Sequence, residues 1–137
     1  MKNLHNRSFL PSILSLFLLI TACHSTLEPD MVPYNSQLDG SWEVQSYMIS
    51  GEEQMGYTLA EFDIIFIPEE ASSGMSKWHW SVADGSSSSE DNFYTLSADG
   101  ETILLTGKEY QMELDEQSLI LRCEEDLSAC EIRARRQ

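Results

Sequence analysis

From residue 40 onward, apolar and polar positions alternate in short runs separated by turn residues. A period of two belongs to strands with one face buried, and helices need a period near 3.6. The first run, Gly40–Ser50, places Trp42, Val44, Ser46 and Met48 on one face and Glu43, Gln45, Tyr47 and Ile49 on the other. A loop, GEEQMGYTLAE, follows with room for one helical turn. Phe62–Ile67 is a nearly continuous apolar run ended by Pro68, with Asp63 expected to face outward between its apolar neighbours. In Lys77–Val82 the residues Trp78, Trp80 and Val82 share a face, and the serine-rich stretch DGSSSSED after it reads as a flexible hairpin tip. Phe93–Leu96, Thr102–Thr106, Glu109–Leu114, Ser118–Cys123 and Cys130–Arg135 complete the series, with turns at Ala98-Asp99-Gly100, Gly107 and Asp115-Glu116. No stretch shows helical periodicity.

Eight strands at this spacing predict an all-β fold, a small antiparallel barrel or sandwich. Two sheet edges must be dealt with, and closing the barrel removes both. An eight-stranded barrel has an interior that side chains can fill or that holds one small ligand. The aromatic positions Trp42, Phe62, Phe66, Trp78, Trp80 and Tyr110, with Phe93 and Tyr94, are the candidates for either role. Short strands and bulky side chains favour filling.

The first 22 residues differ from the rest. Lys2, His5 and Arg7 make a basic start, and Phe9 to Ile20 form an apolar run too short to span a bilayer permanently. The run leads into Ile20-Thr21-Ala22-Cys23, which resembles the lipobox of bacterial lipoproteins. That resemblance implies cleavage before Cys23, lipid attachment at its sulfur and an acyl anchor in the membrane. His24 stands where inner-membrane retention in many Gram-negative bacteria uses Asp, which points to the outer membrane. Residues 23–37 read as lipidated cysteine and tether, with two prolines and no periodicity, although Tyr34 and Leu38 could pack back on the body. The expected division is signal peptide 1–22, tether 23–37 and β domain 38–137.

The segment LDGSWEV at 38–44 resembles the opening strand of lipocalin-like domains in small bacterial lipoproteins, especially those of Bacteroidota. The stretch YTLSADGETILLTGKEYQMELDEQSLILR at 94–122 is similar to that family's ending. The resemblance implies an up-and-down, lipocalin-like barrel in which Trp42 packs to close one end. Cys123 and Cys130 depart from the family's plain ending.

Those two cysteines end one strand and begin the next, with the six residues EEDLSA between them. Facing residues of an antiparallel pair lie close enough for a disulfide, and export supplies an oxidising compartment. With Cys23 acylated no other thiol competes. The bond should contribute about 2.5 kcal/mol by loop-closure entropy.

Charge narrows the function classes. The chain has a formal net charge of −15, and two of its eight basic residues lie in the leader. Such a field argues against nucleic acid as a partner. His79 is the only histidine beyond the tether, so no histidine pair exists for zinc, and no metal or cofactor motif is present. No serine elbow or phosphate loop suggests a reaction, so the chain reads as a non-enzyme. The expected roles are binding of a small hydrophobic or amphipathic molecule in the barrel mouth, with loops 51–60 and 68–76 as rim, or display of a filled barrel to an envelope protein.

Overall fold

The computed structural model describes residues 33–125 and 128–137, so the expected leader, the expected lipidation site at Cys23 and most of the expected tether lie outside the described residues. A short helix, α1 (Pro33–Leu38), precedes nine strands: β1 (Gly40–Ile49), β2 (Glu52–Glu53), β3 (Leu59–Pro68), β4 (Ser73–Val82), β5 (Ser87–Leu96), β6 (Thr102–Leu105), β7 (Lys108–Leu114), β8 (Ser118–Glu125) and β9 (Ser128–Arg136). Apart from the two-residue β2, each strand pairs antiparallel with its sequence neighbours, and β9 pairs back onto β1 from Trp42↔Arg136 to Ile49↔Cys130. The result is a closed eight-stranded up-and-down barrel with no long open edge, as the strand pattern predicts.

Side chains at every second position point inward. Phe62, Ile64 and Phe66 on β3, Tyr94 and Leu96 on β5, Ile103 and Leu105 on β6, and Leu119 and Leu121 on β8 form one continuous core. Asp63 faces outward, where its carboxylate accepts a hydrogen bond from Gln137 Nε2 at 2.8 Å. Phe93, by contrast, is 59% exposed on the outer wall and does not join the interior aromatics.

Three readings of the sequence are corrected. In β1 the register against β9 slips between Val44 and Ser46, a β-bulge. One extra residue flips the parity, so Tyr47 turns inward to pack on the core and Met48 no longer shares a face with Trp42. The serine run is strand, not tip: Ser87, Ser88 and Ser89 pair with Ser81, Trp80 and His79. The turn shrinks to residues 83–86, held by the Asp84 carboxylate, which accepts from the Ser86 N–H (2.8 Å) and hydroxyl (2.7 Å). Serine has weak strand preference, and here pairing along a ten-residue β4 overrides it.

The third correction is α1, which occupies the end of the expected tether. Six residues are too few to show a period or to be stable alone, so packing carries this helix. Leu38 and Asn35 are fully buried. Asn35 Nδ2 donates to the carbonyls of Glu70 (2.7 Å) and Ser73 (3.2 Å), and its Oδ1 accepts from the Tyr94 hydroxyl at 2.6 Å. Tyr34 lies over Gly100, whose φ of +73° and missing Cβ leave room for the ring. Residues 33–38 therefore belong to the folded body.

Candidate functional site

The two ends of the barrel differ, and the difference creates the site. One end holds the start of β1, the ends of β3 and β9, and α1. There Trp42 is fully buried, and its indole N–H donates to the Leu38 carbonyl at 2.9 Å. The Arg136 guanidinium sits 4.4 Å from the ring centroid. The same guanidinium donates to the carbonyls of Glu116 (3.0 Å), Asp39 (2.7 Å) and Gln37, so one side chain ties the last strand to the end of α1 and to the β7–β8 turn. Phe66 and Tyr94 pack edge to face at 5.4 Å. Gly74 faces this pair, where a Cβ would meet the Tyr94 hydroxyl at 2.8 Å. Burial first, then the charges of Asp39 and Glu69, push the Tyr94 phenol well above its ordinary range, which keeps it a donor to Asn35. This end is packed shut.

The opposite end is open. A cavity of about 260 Å³ lies there, lined by Tyr47, Leu59, Phe62, Trp78, Trp80 and Glu90. Phe62 forms its hub, with ring centroids 5.8 Å from Tyr47, 5.5 Å from Trp78 and 6.4 Å from Trp80, at interplanar angles of 59°, 55° and 79°. Beneath it a polar chain runs from the barrel interior to the β6–β7 turn. Trp78 Nε1 donates to Ser76 Oγ (3.1 Å), Ser76 Oγ donates to the Asn92 carbonyl (3.4 Å), and Thr106 Oγ1 donates to Asn92 Oδ1 (2.8 Å). Every partner in that chain is intramolecular, so the Trp78 ring is held in place without any ligand. Glu90 faces Trp78 across the β4–β5 pair and is exposed at the rim.

Loop 51–58 forms one side of this mouth. A single carboxylate, Glu53, fastens it by accepting from the Ser46 hydroxyl (2.5 Å) and from the N–H groups of Tyr47 (2.9 Å), Met55 (2.9 Å) and Gln54 (3.1 Å). Burial raises the pKa of that carboxyl, but the four hydrogen bonds outweigh it and hold the group below its ordinary range. Burial likewise raises the Tyr47 phenol. The disulfide Cys123–Cys130 closes at the same end with a Cα–Cα distance of 5.0 Å, across a facing pair of β8 and β9 as their spacing suggests. A second, more polar cleft of about 270 Å³ opens where β1 and β3 part after the Glu43↔Asp63 pair, between Glu43, Glu61 and Asp63.

Of the six aromatic candidates, the structure brings Phe62, Trp78 and Trp80 together at the mouth. Trp42 and Phe66 belong to the shut end, and Tyr110 is buried in the wall with the Lys108 ammonium 5.7 Å above its ring. Loop 51–60 does border the mouth, whereas loop 68–76 lies at the shut end, where it receives the hydrogen bonds of Asn35. In an up-and-down barrel alternate hairpins fall at opposite ends, and that alternation separates the two loops. Tyr47, Leu59 and Glu90 are mouth residues that strand periodicity alone misses. The bulge hides Tyr47, and the serine run hides Glu90.

Neither a protein-family model nor a curated protein matches the chain. Solved structures do. A redesigned β-barrel superposes with a TM-score of 0.56 at 18% identity, covering 76% of this chain and 95% of that one. The fold is a β-barrel. A crystal structure of a "putative lipoprotein" from Streptococcus pneumoniae aligns with a TM-score of 0.38 at 11% identity, over 69% of this chain and 89% of that one.

Proposed function

We propose that this chain is an exported, lipid-anchored, lipocalin-like barrel of the cell envelope that binds a small hydrophobic or amphipathic molecule in its open mouth and catalyses no reaction. The observation that carries the reading is the asymmetry of the barrel: one end plugged by α1, Trp42 and Arg136, the other opening onto four aromatic rings. Concave, mostly apolar sites with a few polar groups are where small ligands bind. At about 260 Å³ the mouth is smaller than most drug-sized sites, so it holds one end of a molecule whose remainder projects outward. The anchor belongs to Cys23 at the close of the basic-apolar leader, and His24 favours the outer membrane.

The test is tryptophan emission titrated with fatty acids, retinoids, long-chain alcohols and envelope extract. Trp78 and Trp80 line the mouth, so a ligand there must change their signal saturably. A flat response from a cooperatively melting protein removes the hydrophobic-ligand role. The anchor is tested separately, since Cys23→Ser should release the protein from membranes on fractionation, and a variant that still pellets with them contradicts it.

One observation favours a second reading. Phe93, Ile65, Ile67 and Leu104 are exposed together on the outer faces of β3, β5 and β6. Met75 lies in register between Ile67 and Phe93. Apolar wall of this kind suits a protein partner in the envelope. Phe93→Ser would abolish capture of such a partner while leaving the fluorescence titration intact.

A further inference from the structure

We infer that the mouth is built for an organic cation of the quaternary ammonium class, with the methylated ammonium among the rings and Glu90 as its counter-charge. This rests on the mouth being a binding site and names the chemistry it selects. Four of its six lining residues are aromatic. Aromatic faces carry negative quadrupole charge and attract cations, most strongly for Trp. Tyr47, Trp78 and Trp80 are each tilted against Phe62 rather than stacked on it, so the rings offer more than one orientation to one rounded group. Trp78 is fixed by its bond to Ser76, which removes part of the ordering cost of binding.

The single charged lining residue has the complementary sign. Glu90 lies opposite Trp78, and among the described residues no ion pair neutralises it. Lys108, at this end of the barrel, sits over Tyr110 and does not line the cavity. A neutral apolar head would partly desolvate Glu90 with nothing in return, and an anionic one would meet both Glu90 and a chain of net charge −15. A quaternary ammonium needs no hydrogen-bond acceptor, so rings and one carboxylate satisfy it fully.

The experiment uses the full chain in a nonionic detergent and reads tryptophan emission. The probes are choline, the neutral isostere in which carbon replaces its nitrogen, phosphocholine and decanol. Choline should bind at least about ten-fold tighter than its isostere. Glu90→Gln should weaken choline about five-fold without weakening the isostere, which no longer desolvates a charge, and Trp80→Leu should erase the preference while keeping an apolar wall. Both variants are checked for a cooperative melt, and either one alone suffices, because Glu90 is exposed and makes no ion pair among the described residues. Equal affinity for choline and isostere overturns the proposal. Decanol binding without choline binding overturns it too, while the mouth remains a site for neutral amphiphiles. No response to any probe removes both readings. Phosphocholine separates the sources: affinity equal to choline's supports a lipid headgroup, and weaker affinity supports a free cation.

Discussion

Replacing Trp42 probes the shut end of the barrel most sharply. The ring is fully buried, so Trp42→Ala removes its packing at a cost of about 3–5 kcal/mol. It also strands the Leu38 carbonyl, which now receives the indole N–H at 2.9 Å, and an unsatisfied buried acceptor costs about 1–3 kcal/mol more. Loss of the Arg136 stack adds about 0.5–1 kcal/mol. Cavity relaxation makes these terms less than additive, and a total of about 4–6 kcal/mol is expected. Small domains hold about 5–15 kcal/mol in all, so the Ala variant is close to unfolding. Trp42→Phe is the informative partner: it keeps an aromatic ring against Arg136 but loses the N–H, and should cost about 1–2 kcal/mol. Urea unfolding followed by circular dichroism measures both. Costs below about 1 kcal/mol for the Ala variant would refute the plug, since no packed and hydrogen-bonded tryptophan can be removed so cheaply.

Three further outcomes follow from the same structure. Reducing Cys123–Cys130, or replacing both with serine, should cost about 2.5 kcal/mol of unfolding free energy, and an unchanged melting temperature would mean the bond does not constrain the chain. Gly100→Ala should destabilise by more than about 1 kcal/mol and loosen α1, because φ there is +73° and the new methyl would enter the Tyr34 ring; a neutral result in hydrogen exchange of residues 33–38 would contradict the docking of that helix. With pH, hydrogen bonds to Ser118, Ser97 and Ser86 lower Asp115, Asp99 and Asp84, and the Arg133 and Arg122 side chains lower Glu131, as the four bonds lower Glu53. Folded pKa values below the unfolded ones mean stability that is present above the ordinary carboxylate values of 3.8 to 4.5 and lost as pH falls through the lower folded values. Tyr94 acts oppositely, its contribution being present below pH 10.0 and lost as pH rises through its raised value. Melting temperature against pH should therefore fall at both extremes, and a flat acid limb would remove the carboxylate contribution.

The barrel was legible because its interior obeys one local rule. Trp78 and Trp80, or Tyr110 and Met112, alternate with polar neighbours and so declare which face is inside. What stayed hidden depends on pairing between distant residues. Whether β1 carries a bulge is decided by its register against β9, at the other end of the chain, and Tyr47 changes sides with it. Ser87 to Ser89 become strand because β4 offers ten residues to pair with, a fact of β4 rather than of the serines. The helix at 33–38 exists because Asn35 finds Glu70, Ser73 and Tyr94, none of them near it in sequence. The cysteine pair was readable because its partners flank one hairpin. The mouth was half readable: its tryptophans show a face, but the carboxylate opposite them lies inside what reads as a turn.

The most direct test of the open mouth is a nuclear magnetic resonance titration of the folded protein with a ligand found by fluorescence. A ligand seated in the mouth should shift amides at Tyr47, Leu59, Phe62, Trp78, Trp80 and Glu90 and leave Trp42, Asn35 and Arg136 unmoved. Shifts clustered instead around Phe93 and Ile67, or spread evenly over both ends, would contradict it.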